Sequence, residues 1–298
     1  MTTGQIHSAQ IRSGGATRLT GCHEAIFPWW SFSKTLIAVA AMRLVEHGKL
    51  DLDDRLPHKP YSTRHLMQHR AGVPDYGRLP EYHNAVAEGD PPWSREELFE
   101  NVQVDTLDFE PGKGWAYSNV GYLLLVEHLT GIAQVSLSEL LSNLIFRPLC
   151  LESAKLAERD TDFSQIYWES GRSYNPRWVY HGCVVGSPLD AANALQAIFT
   201  NRLIDLKFLE PMFDMHRLGG AIENRPWIEC GYGLGLMVGK MRGAGRAIGH
   251  SGCGPFSVNA VYHFPDTTDS LTIATFTDGS DEGIAESEAV NIANPQYR

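Results

Sequence analysis

The chain has 298 residues, of which 43% are hydrophobic and 20% charged, and its formal net charge is −10 at pH 7. This composition is that of a globular protein, and the length suffices for one large domain or two lobes around a buried core. The acidic balance argues against a nucleic-acid groove or an anionic membrane surface as the main partner. No secretory signal opens the chain and no apolar run approaches a membrane span, so we expect a cytoplasmic protein without a membrane partner.

The first predicted elements are a hairpin and a long helix. Residues 6–11 and 17–20 flank a glycine-containing turn and predict two paired strands. A helix is predicted from Ser31 to about His47, and Gly48 ends it. Because this helix is apolar on nearly all sides, we expect it to lie buried at the centre of the protein.

The middle and the end of the chain differ in their periodicity. Helical patterns dominate from about Ser62 to Asn224, and short β-type runs follow from Tyr232 onward. The predicted helices span residues 64–70, 95–101, 121–129, 136–146 and 189–201, and the predicted strands span 234–238, 246–250, 257–264 and 271–277, before a closing helix at 282–293. Strands at both ends of the chain predict one sheet with a mainly helical lobe inserted. The sheet lobe is placed at residues 1–60 and 225–298, and the helical lobe at residues 61–224.

Ser31 and Lys34 form the strongest candidate for catalytic chemistry. They lie three residues apart at the start of a helix, so hydroxyl and amine share one face about one turn apart. The helix dipole and burial both disfavour a charged amine, so Lys34 is expected to be neutral near pH 7 and to accept the serine proton. None of the other six lysines has a serine three positions before it. From these residues alone, an ordinary helix start with a surface lysine is the alternative.

Tyr117 and Asn119 form a second candidate group. They follow a Pro-Gly turn and immediately precede a predicted helix, so a phenol and an amide would lie at a rigid loop end. A buried phenol near an amine can shuttle a proton, and an asparagine can orient the lysine and bind a substrate carbonyl. A packed loop tyrosine without a catalytic role is the alternative.

His250 and Gly252 form the third group, at the end of one predicted strand and before another. Small residues on a strand let a substrate backbone approach closely and pair with it. His250 is the only histidine that is followed two positions later by glycine. A tight hairpin that requires glycines is the alternative.

Metal and disulfide patterns are weak. His65 and His69 have the i, i+4 spacing of a zinc pair, but no glutamate follows His65 and no third ligand is evident, so His69 is predicted to be structural. The cysteines are odd in number, widely spaced and without a Cys-x-x-Cys pair, which favours reduced thiols over disulfides or a zinc site. They are Cys22, Cys150, Cys183, Cys230 and Cys253.

Taken together and in this order, the three groups resemble the serine β-lactamase and penicillin-binding-protein superfamily. The closest resemblance is to its class C-like branch of DD-peptidases, D-stereospecific amidases and peptidases, and carboxylesterases. It covers roughly residues 25–280 and includes further matching segments at 46–54, 66–76, 119–122, 130–131, 148–151 and 232–235. It implies an α+β fold in which an antiparallel sheet, built from both chain ends and flanked by helices, carries the inserted helical lobe.

The resemblance also implies a role for each candidate residue. Ser31 would be the acylated nucleophile, with Lys34 as its base, and water would hydrolyse the acyl-enzyme without a metal or an organic cofactor. Tyr117 would assist proton transfer, and Asn119 would hold Lys34 and the substrate amide. His250 would stand in place of the lysine of a Lys-Thr-Gly motif, and Gly252 would keep its strand open. The backbone N–H groups of Ser31 and Cys253 would form the oxyanion hole.

Departures from the family pattern bear on the substrate. A histidine is mostly neutral at pH 7, so His250 lacks the permanent cation that a lysine offers to a substrate carboxylate. We therefore expect a serine hydrolase for a small ester or amide, with an ester preferred. The alternatives are a D-stereospecific amidase or peptidase, a penicillin-binding or β-lactamase activity, and a catalytically silent binding protein of the same fold.

The ends of the chain are short for this family. The segment before Ser31 and the segment after Thr277 are both brief. This predicts that the sheet lacks a covering helix, and a homo-oligomer in which a partner subunit covers it is the accompanying expectation.

Overall fold

Strands from both ends of the chain form one eight-stranded antiparallel sheet in the computed structural model, which describes residues 4–297. The strands are β1 (His7–Arg12), β2 (Thr17–Thr20), β3 (Phe27–Pro28), β4 (Lys155–Ala157), β5 (Cys183–Gly186), β6 (His216–Gly219), β7 (Trp227–Tyr232), β8 (Met237–Met241), β9 (Gly245–Cys253), β10 (Ser257–Phe264) and β11 (Leu271–Asp278). The order in the large sheet is β2-β1-β11-β10-β9-β8-β7-β6, and a small antiparallel sheet has the order β3-β5-β4.

Most of the helices lie between the two groups of sheet strands. They are α1 (Phe32–Glu46), α2 (Thr63–Met67), α3 (Pro80–Glu88), α4 (Arg95–Val102), α5 (Asn119–Ala133), α6 (Leu137–Leu141), α7 (Arg147–Leu149), α8 (Pro188–Phe199), α9 (Leu206–Phe213) and α10 (Glu282–Ala293). The predicted fold class is therefore confirmed: an antiparallel sheet from both chain ends is flanked by helices and carries a mainly helical insertion. The lobe boundaries near residues 60 and 225 stay a prediction.

The predicted helices and strands agree best with the structure where the hydrophobic pattern in the sequence is long. The N-terminal hairpin, the helix after Ser31, the strand at 257–264 and the closing helix at 282–293 are all present. The strand predicted at 234–238 is wrong, because residues 233–236 form the turn between β7 and β8. Gly235 has a φ of +70°, and a Cβ there would lie 2.4 Å from Ala38 Cβ, so only glycine lets this turn pack on α1.

Helix α1 is the centre of the core, as predicted. Its apolar residues are almost all buried, and it contacts β9 on one side and α5 and α6 on the other. Lys34 lies on this helix with its side chain fully buried. A lysine is almost never fully buried unless it is paired, so its position makes the start of α1 a candidate functional site.

The large sheet is covered on both faces, and the expectation of a missing cover is wrong. Helix α8 packs on β1, β10 and β11, while α10 packs on β9, β10 and β11. Neighbouring residues of β11 separate these layers: Ala274 belongs to the core that includes α8, whereas Ile273 packs with Ala285 and Ala289 of α10. The predicted closing helix thus supplies the cover, and a homo-oligomer stays a prediction that this layer does not require.

The structure also bears on the cysteines and on membrane-spanning helices. All five cysteines are free thiols, as the sequence predicts. Across residues 4–297 no single helix is long and apolar enough to cross a membrane, and α5 with the segment 137–149 reaches that length and composition only as a pair bent by 75°.

Candidate active site

The segment before Ser31 is held in a strained conformation. Trp30 has a φ of +41°, which is costly for a bulky residue and persists only where the surroundings enforce it. Its indole Nε1–H donates to Ser257 Oγ at 3.0 Å, and its ring packs against Phe163 and Phe256. These contacts fix the backbone immediately before Ser31, so the hydroxyl and the backbone N–H of Ser31 begin α1 at a defined place.

Ser31, Lys34 and Tyr117 meet within hydrogen-bond distance. The Tyr117 O–H donates to Ser31 Oγ at 2.9 Å, and Lys34 Nζ lies 3.2 Å from the same oxygen. The first pair is separated by 86 residues in the chain, so the loop before α5 brings the phenol to the start of α1. The side chains can therefore exchange a proton with Ser31 from two sides.

The amine of Lys34 is tuned toward its neutral form. Burial lowers the pKa of Lys34 from 10.5 to about 7, while Asp75, Cys183 and Glu282 act in the opposite direction. An amine with this pKa is about half unprotonated at neutral pH, and the unprotonated form can accept a proton from a serine. Burial thus lowers the pKa of Lys34 in the expected direction, and its role as the base stays a prediction.

Asn119 is oriented by Asp75, a residue that the candidate groups did not include. Asp75 accepts the Asn119 backbone N–H at 2.6 Å and the side-chain Nδ2–H at 3.2 Å. Because the amide nitrogen is held there, Oδ1 of Asn119 faces Lys34 Nζ at 2.8 Å. Asp75 thus determines which end of the amide meets the amine.

Tyr117 is a neutral phenol held by His69. Burial raises the pKa of Tyr117 well above its ordinary value of 10, so the O–H keeps its proton and can donate. The rings of His69 and Tyr117 are 4.2 Å apart, and His69 Nδ1 accepts the backbone N–H of Ser118 at 3.1 Å. His69 is structural in this sense, and His65 Nδ1 accepts the backbone N–H of Ser62 at 3.2 Å at the start of α2.

His250 lines the cavity but has both ring nitrogens engaged. Nδ1 lies 2.5 Å from the carbonyl oxygen of Ser251 and must carry the proton, since a carbonyl only accepts. Nε2 therefore accepts the Tyr232 O–H at 2.8 Å. Burial lowers the pKa of His250 to about 3, so the ring is neutral. It offers a substrate neither a positive charge nor a free N–H.

Gly252 allows β9 to pack closely on the segment before Ser31. A Cβ at this position would lie 2.8 Å from both Trp30 Cβ and Asn259 Nδ2, where no such atom fits. The close approach brings Cys253 to the same cavity as Ser31, as an oxyanion hole from these two residues requires. An opening of the strand toward substrate, and the oxyanion hole itself, stay predictions.

Ser31 lies in a cavity of about 600 Å³ whose lining includes several aromatic side chains. Trp30 belongs to this lining, whereas Trp29 is fully buried in the core. The aromatic members are Trp30, Tyr76, Tyr82, Trp115, Tyr117, Tyr174 and Tyr232. The cavity also contains Arg225 and Glu282, whose Nη1 and Oε2 are 2.7 Å apart. Such a pocket favours a substrate with an apolar group beside its reacting bond.

Sequence reasoning missed three of the side chains around Ser31. They are His181, whose Nε2 lies 3.0 Å from Lys34 Nζ, Asp75 and Tyr232. Asp75 and Tyr232 lie in segments that carry the family resemblance, which was a usable signal, but no local pattern marks His181. Over residues 4–297 no cluster of three histidine, cysteine or carboxylate side chains is arranged to hold a metal ion.

The pKa of Lys34 predicts how acylation of Ser31, the chemistry expected of this site, depends on pH. Only the unprotonated amine can accept the serine proton, so kcat/KM is expected to rise with pH and level off above about 7. Tyr117 and His250 titrate far from this range, so no second inflection is expected from them. The measurement is kcat/KM for a short-chain p-nitrophenyl ester between about pH 5 and pH 9. A profile that is flat through pH 7 would contradict Lys34 as the base.

The chain is similar in sequence to known proteins. The Beta-lactamase family model matches residues 8–295. Penicillin-binding protein 4* of Bacillus subtilis (strain 168) is 25% identical over an alignment of 268 residues, which covers 78% of this chain and 56% of that protein. The chain thus spans about half the length of that relative.

Solved structures share the fold over nearly the whole chain. D-amino acid amidase from Ochrobactrum anthropi SV3 has a TM-score of 0.81 at 22% identity, over 97% of this chain and 92% of that one. D-stereospecific amidohydrolase from Streptomyces sp. has a TM-score of 0.78 at 20% identity, over 98% and 94%. At these identities the likeness establishes the architecture, and the family model covers nearly all of the sequence. The chain belongs to the beta-lactamase family.

Proposed function

We propose that this protein is a serine hydrolase that cleaves a small ester or amide through an acyl-Ser31 intermediate. The observation that carries the proposal is the environment of Ser31 Oγ. It receives the Tyr117 O–H at 2.9 Å and faces, at 3.2 Å, an amine whose pKa is lowered to about 7 by burial. A hydroxyl with a neutral base and a phenol at this distance has the arrangement of an activated nucleophile.

The reaction proceeds in two steps on the residues of this chain. Lys34 accepts the proton of Ser31 as Oγ attacks the substrate carbonyl, and the backbone N–H groups of Ser31 and Cys253 stabilise the oxyanion. The proton then passes through Lys34 and Tyr117 to the leaving alcohol or amine. Water, activated by the same pair, releases the acid and regenerates Ser31.

The charges in the cavity favour a substrate without a carboxylate beside the reacting bond. His250 is neutral and presents no free N–H, and Arg225 is already paired with both Glu282 and Glu286. This supports an ester or amide over a β-lactam antibiotic, whose carboxylate needs a cation. Two structural neighbours are named as an amidase and an amidohydrolase, which supports the amide alternative, and the preference for esters stays a prediction.

A covalent probe tests the nucleophile directly. Incubation with a fluorophosphonate should add one label, which peptide mass spectrometry locates on Ser31, because that reagent requires an activated serine. Ser31→Ala should lose the label. Ser33→Ala, which removes the neighbouring buried hydroxyl, should keep it, since Ser33 Oγ is occupied as the acceptor of the Val184 N–H at 2.9 Å. A folded protein that stays unlabelled would instead support a catalytically silent binding protein.

A substrate panel separates the remaining alternatives. Short-chain p-nitrophenyl esters, D- and L-amino-acid amides and a chromogenic cephalosporin should be compared by kcat/KM. Turnover of the esters with little or no turnover of the amides supports the predicted esterase. Turnover of D-amides alone would overturn the ester preference, and rapid cleavage of the cephalosporin would overturn the argument from the missing cation.

A further inference from the structure

His181 lies against the amine of Lys34 and is deeply buried. Its side chain is 2% exposed, and its Nε2 is 3.0 Å from Lys34 Nζ. It precedes β5, which is tied to the nucleophile segment at three points: the Val184 N–H donates to Ser33 Oγ, the Trp29 N–H donates to the Val184 carbonyl, and β3 pairs with β5. The strand that follows His181 is therefore fixed to the same segment that carries Ser31.

The hydrogen bonds of the amine can be counted. A neutral amine has two N–H donors and one lone pair, and three groups surround Lys34 Nζ: Asn119 Oδ1 at 2.8 Å, His181 Nε2 at 3.0 Å and Ser31 Oγ at 3.2 Å. If Asn119 and His181 accept the two protons, the lone pair is left for the Ser31 hydroxyl. After proton transfer the ammonium has three donors, and the same three groups accept them.

We propose that His181 is a positioning residue for Lys34: it accepts one N–H of the amine throughout the reaction and so directs the lone pair at Ser31. This inference rests on the proposed function, in which Lys34 is the base. It names a part of the site that neither the motifs nor the family resemblance indicated.

The tautomer of His181 follows from this role. Nε2 can accept only if the ring proton is on Nδ1, and that nitrogen is buried with no hydrogen-bond partner among the described residues. With the proton on Nε2 instead, the ring would donate to the lone pair of Lys34 and block it. Burial and the nearby lysine both lower the pKa of His181 well below 6.5, so the ring does not become a cation.

Removal of the His181 acceptor should destabilise the protonated form of Lys34 more than its neutral form. Hydrogen bonds from an ammonium are stronger than those from an amine, so loss of the partner lowers the pKa of Lys34 further and destabilises the ammonium that forms during acylation. The other titratable groups near the amine are Asp75, His69, Tyr117, Tyr122, Cys183, His250 and Glu282, and substitution of His181 removes none of them.

The experiment compares two substitutions of His181. His181→Phe keeps a flat ring but removes the acceptor, and we expect kcat to fall about tenfold while the rise of kcat/KM moves to lower pH by about one unit. His181→Gln restores an acceptor oxygen and should recover most of kcat and the original pH profile. His263→Phe is the matched control, because His263 is also buried but does not line the cavity, and it should leave the profile unchanged.

The outcomes are distinguishable from failure of the proposed function. The wild-type protein must first be labelled at Ser31 and show turnover. If it is neither labelled nor active, the proposed function itself is wrong. If wild type is active and His181→Phe has its kcat and pH profile, the inference is overturned. It is also overturned if a folded His181→Gln, judged by its Tm, loses as much activity as His181→Phe without a shift in pH profile.

Discussion

Replacement of Lys34 by methionine is expected to abolish hydrolysis and to make the folded protein more stable at neutral and acidic pH. The loss of activity follows because, within residues 4–297, the other side chain that is hydrogen-bonded to Ser31 Oγ is Tyr117, a phenol with a raised pKa that donates to that oxygen and does not accept its proton. We expect kcat/KM to fall by at least about a thousandfold. Methionine keeps an unbranched chain of similar length, so the buried volume stays filled.

The gain in stability follows from the pKa of the buried amine. In the unfolded chain Lys34 has a pKa near 10.5, whereas in the folded protein burial lowers the pKa to about 7. Between these values the unfolded state binds more protons, so the free energy of unfolding of the wild type rises with pH, and below 7 the full cost of burying the charge applies. Methionine removes that cost, which amounts to roughly 3 kcal/mol after allowance for the lost hydrogen bonds.

Urea unfolding at two pH values checks this prediction. Lys34→Met should exceed the wild type in free energy of unfolding at about pH 6, and the difference should shrink toward about pH 10. Lys49→Met is the control, because Lys49 is exposed after the end of α1 and should change neither stability nor activity appreciably. An equal or lower stability of Lys34→Met at acidic pH would show that the amine is not costly to bury.

Gly252→Ala is expected to lower kcat/KM by about a hundredfold and to reduce the Tm. The added Cβ would meet Trp30 Cβ and Asn259 Nδ2 at 2.8 Å. Trp30 cannot yield easily, because its backbone already has a φ of +41° and its indole is held by Ser257. Strand β9 must therefore move away, and the N–H of Cys253 moves with it relative to Ser31.

Kinetic constants and thermal unfolding measure this effect together. Gly131→Ala is the matched control: Gly131 lies inside α5 with open space at its Cβ position, so alanine should be neutral or slightly stabilising there. Fluorophosphonate labelling of Ser31 in the folded Gly252→Ala protein should be slower as well. Wild-type kcat/KM in Gly252→Ala would show that the spacing of β9 and the nucleophile segment does not control the reaction.

The sequence predicts best those parts of the site that lie close together in the chain. Ser31 and Lys34 occupy one helical turn, so their proximity follows from helix geometry alone. Tyr117 comes from a separate loop, and only the resemblance to a family placed it beside Ser31. The local pattern singled out His250, and the resemblance gave it a role, but neither showed that its two ring nitrogens are engaged by Tyr232 and the Ser251 carbonyl.

The remaining features depend on long-range packing that no local pattern encodes. His181 reaches Lys34 because β5 pairs with the two-residue strand β3, which is too short to predict from sequence. The turn at 233–236 looked like a strand because its leucines pack on the core although the backbone is not extended. The cover of the sheet was misjudged by counting the length of the chain ends, whereas α10 alone suffices to bury the β10 and β11 face.

The order of strands in the large sheet also affects synthesis of the protein on the ribosome. Strand β1 is made before the other strands of this sheet, yet one of its two neighbours, β11, begins only at Leu271. The inward-facing residues Ala9 and Ile11 therefore stay without their final neighbours until more than 250 further residues have been translated. Assembly of the central sheet thus waits for β11, and during that interval the first hairpin is a target for chaperones or for aggregation.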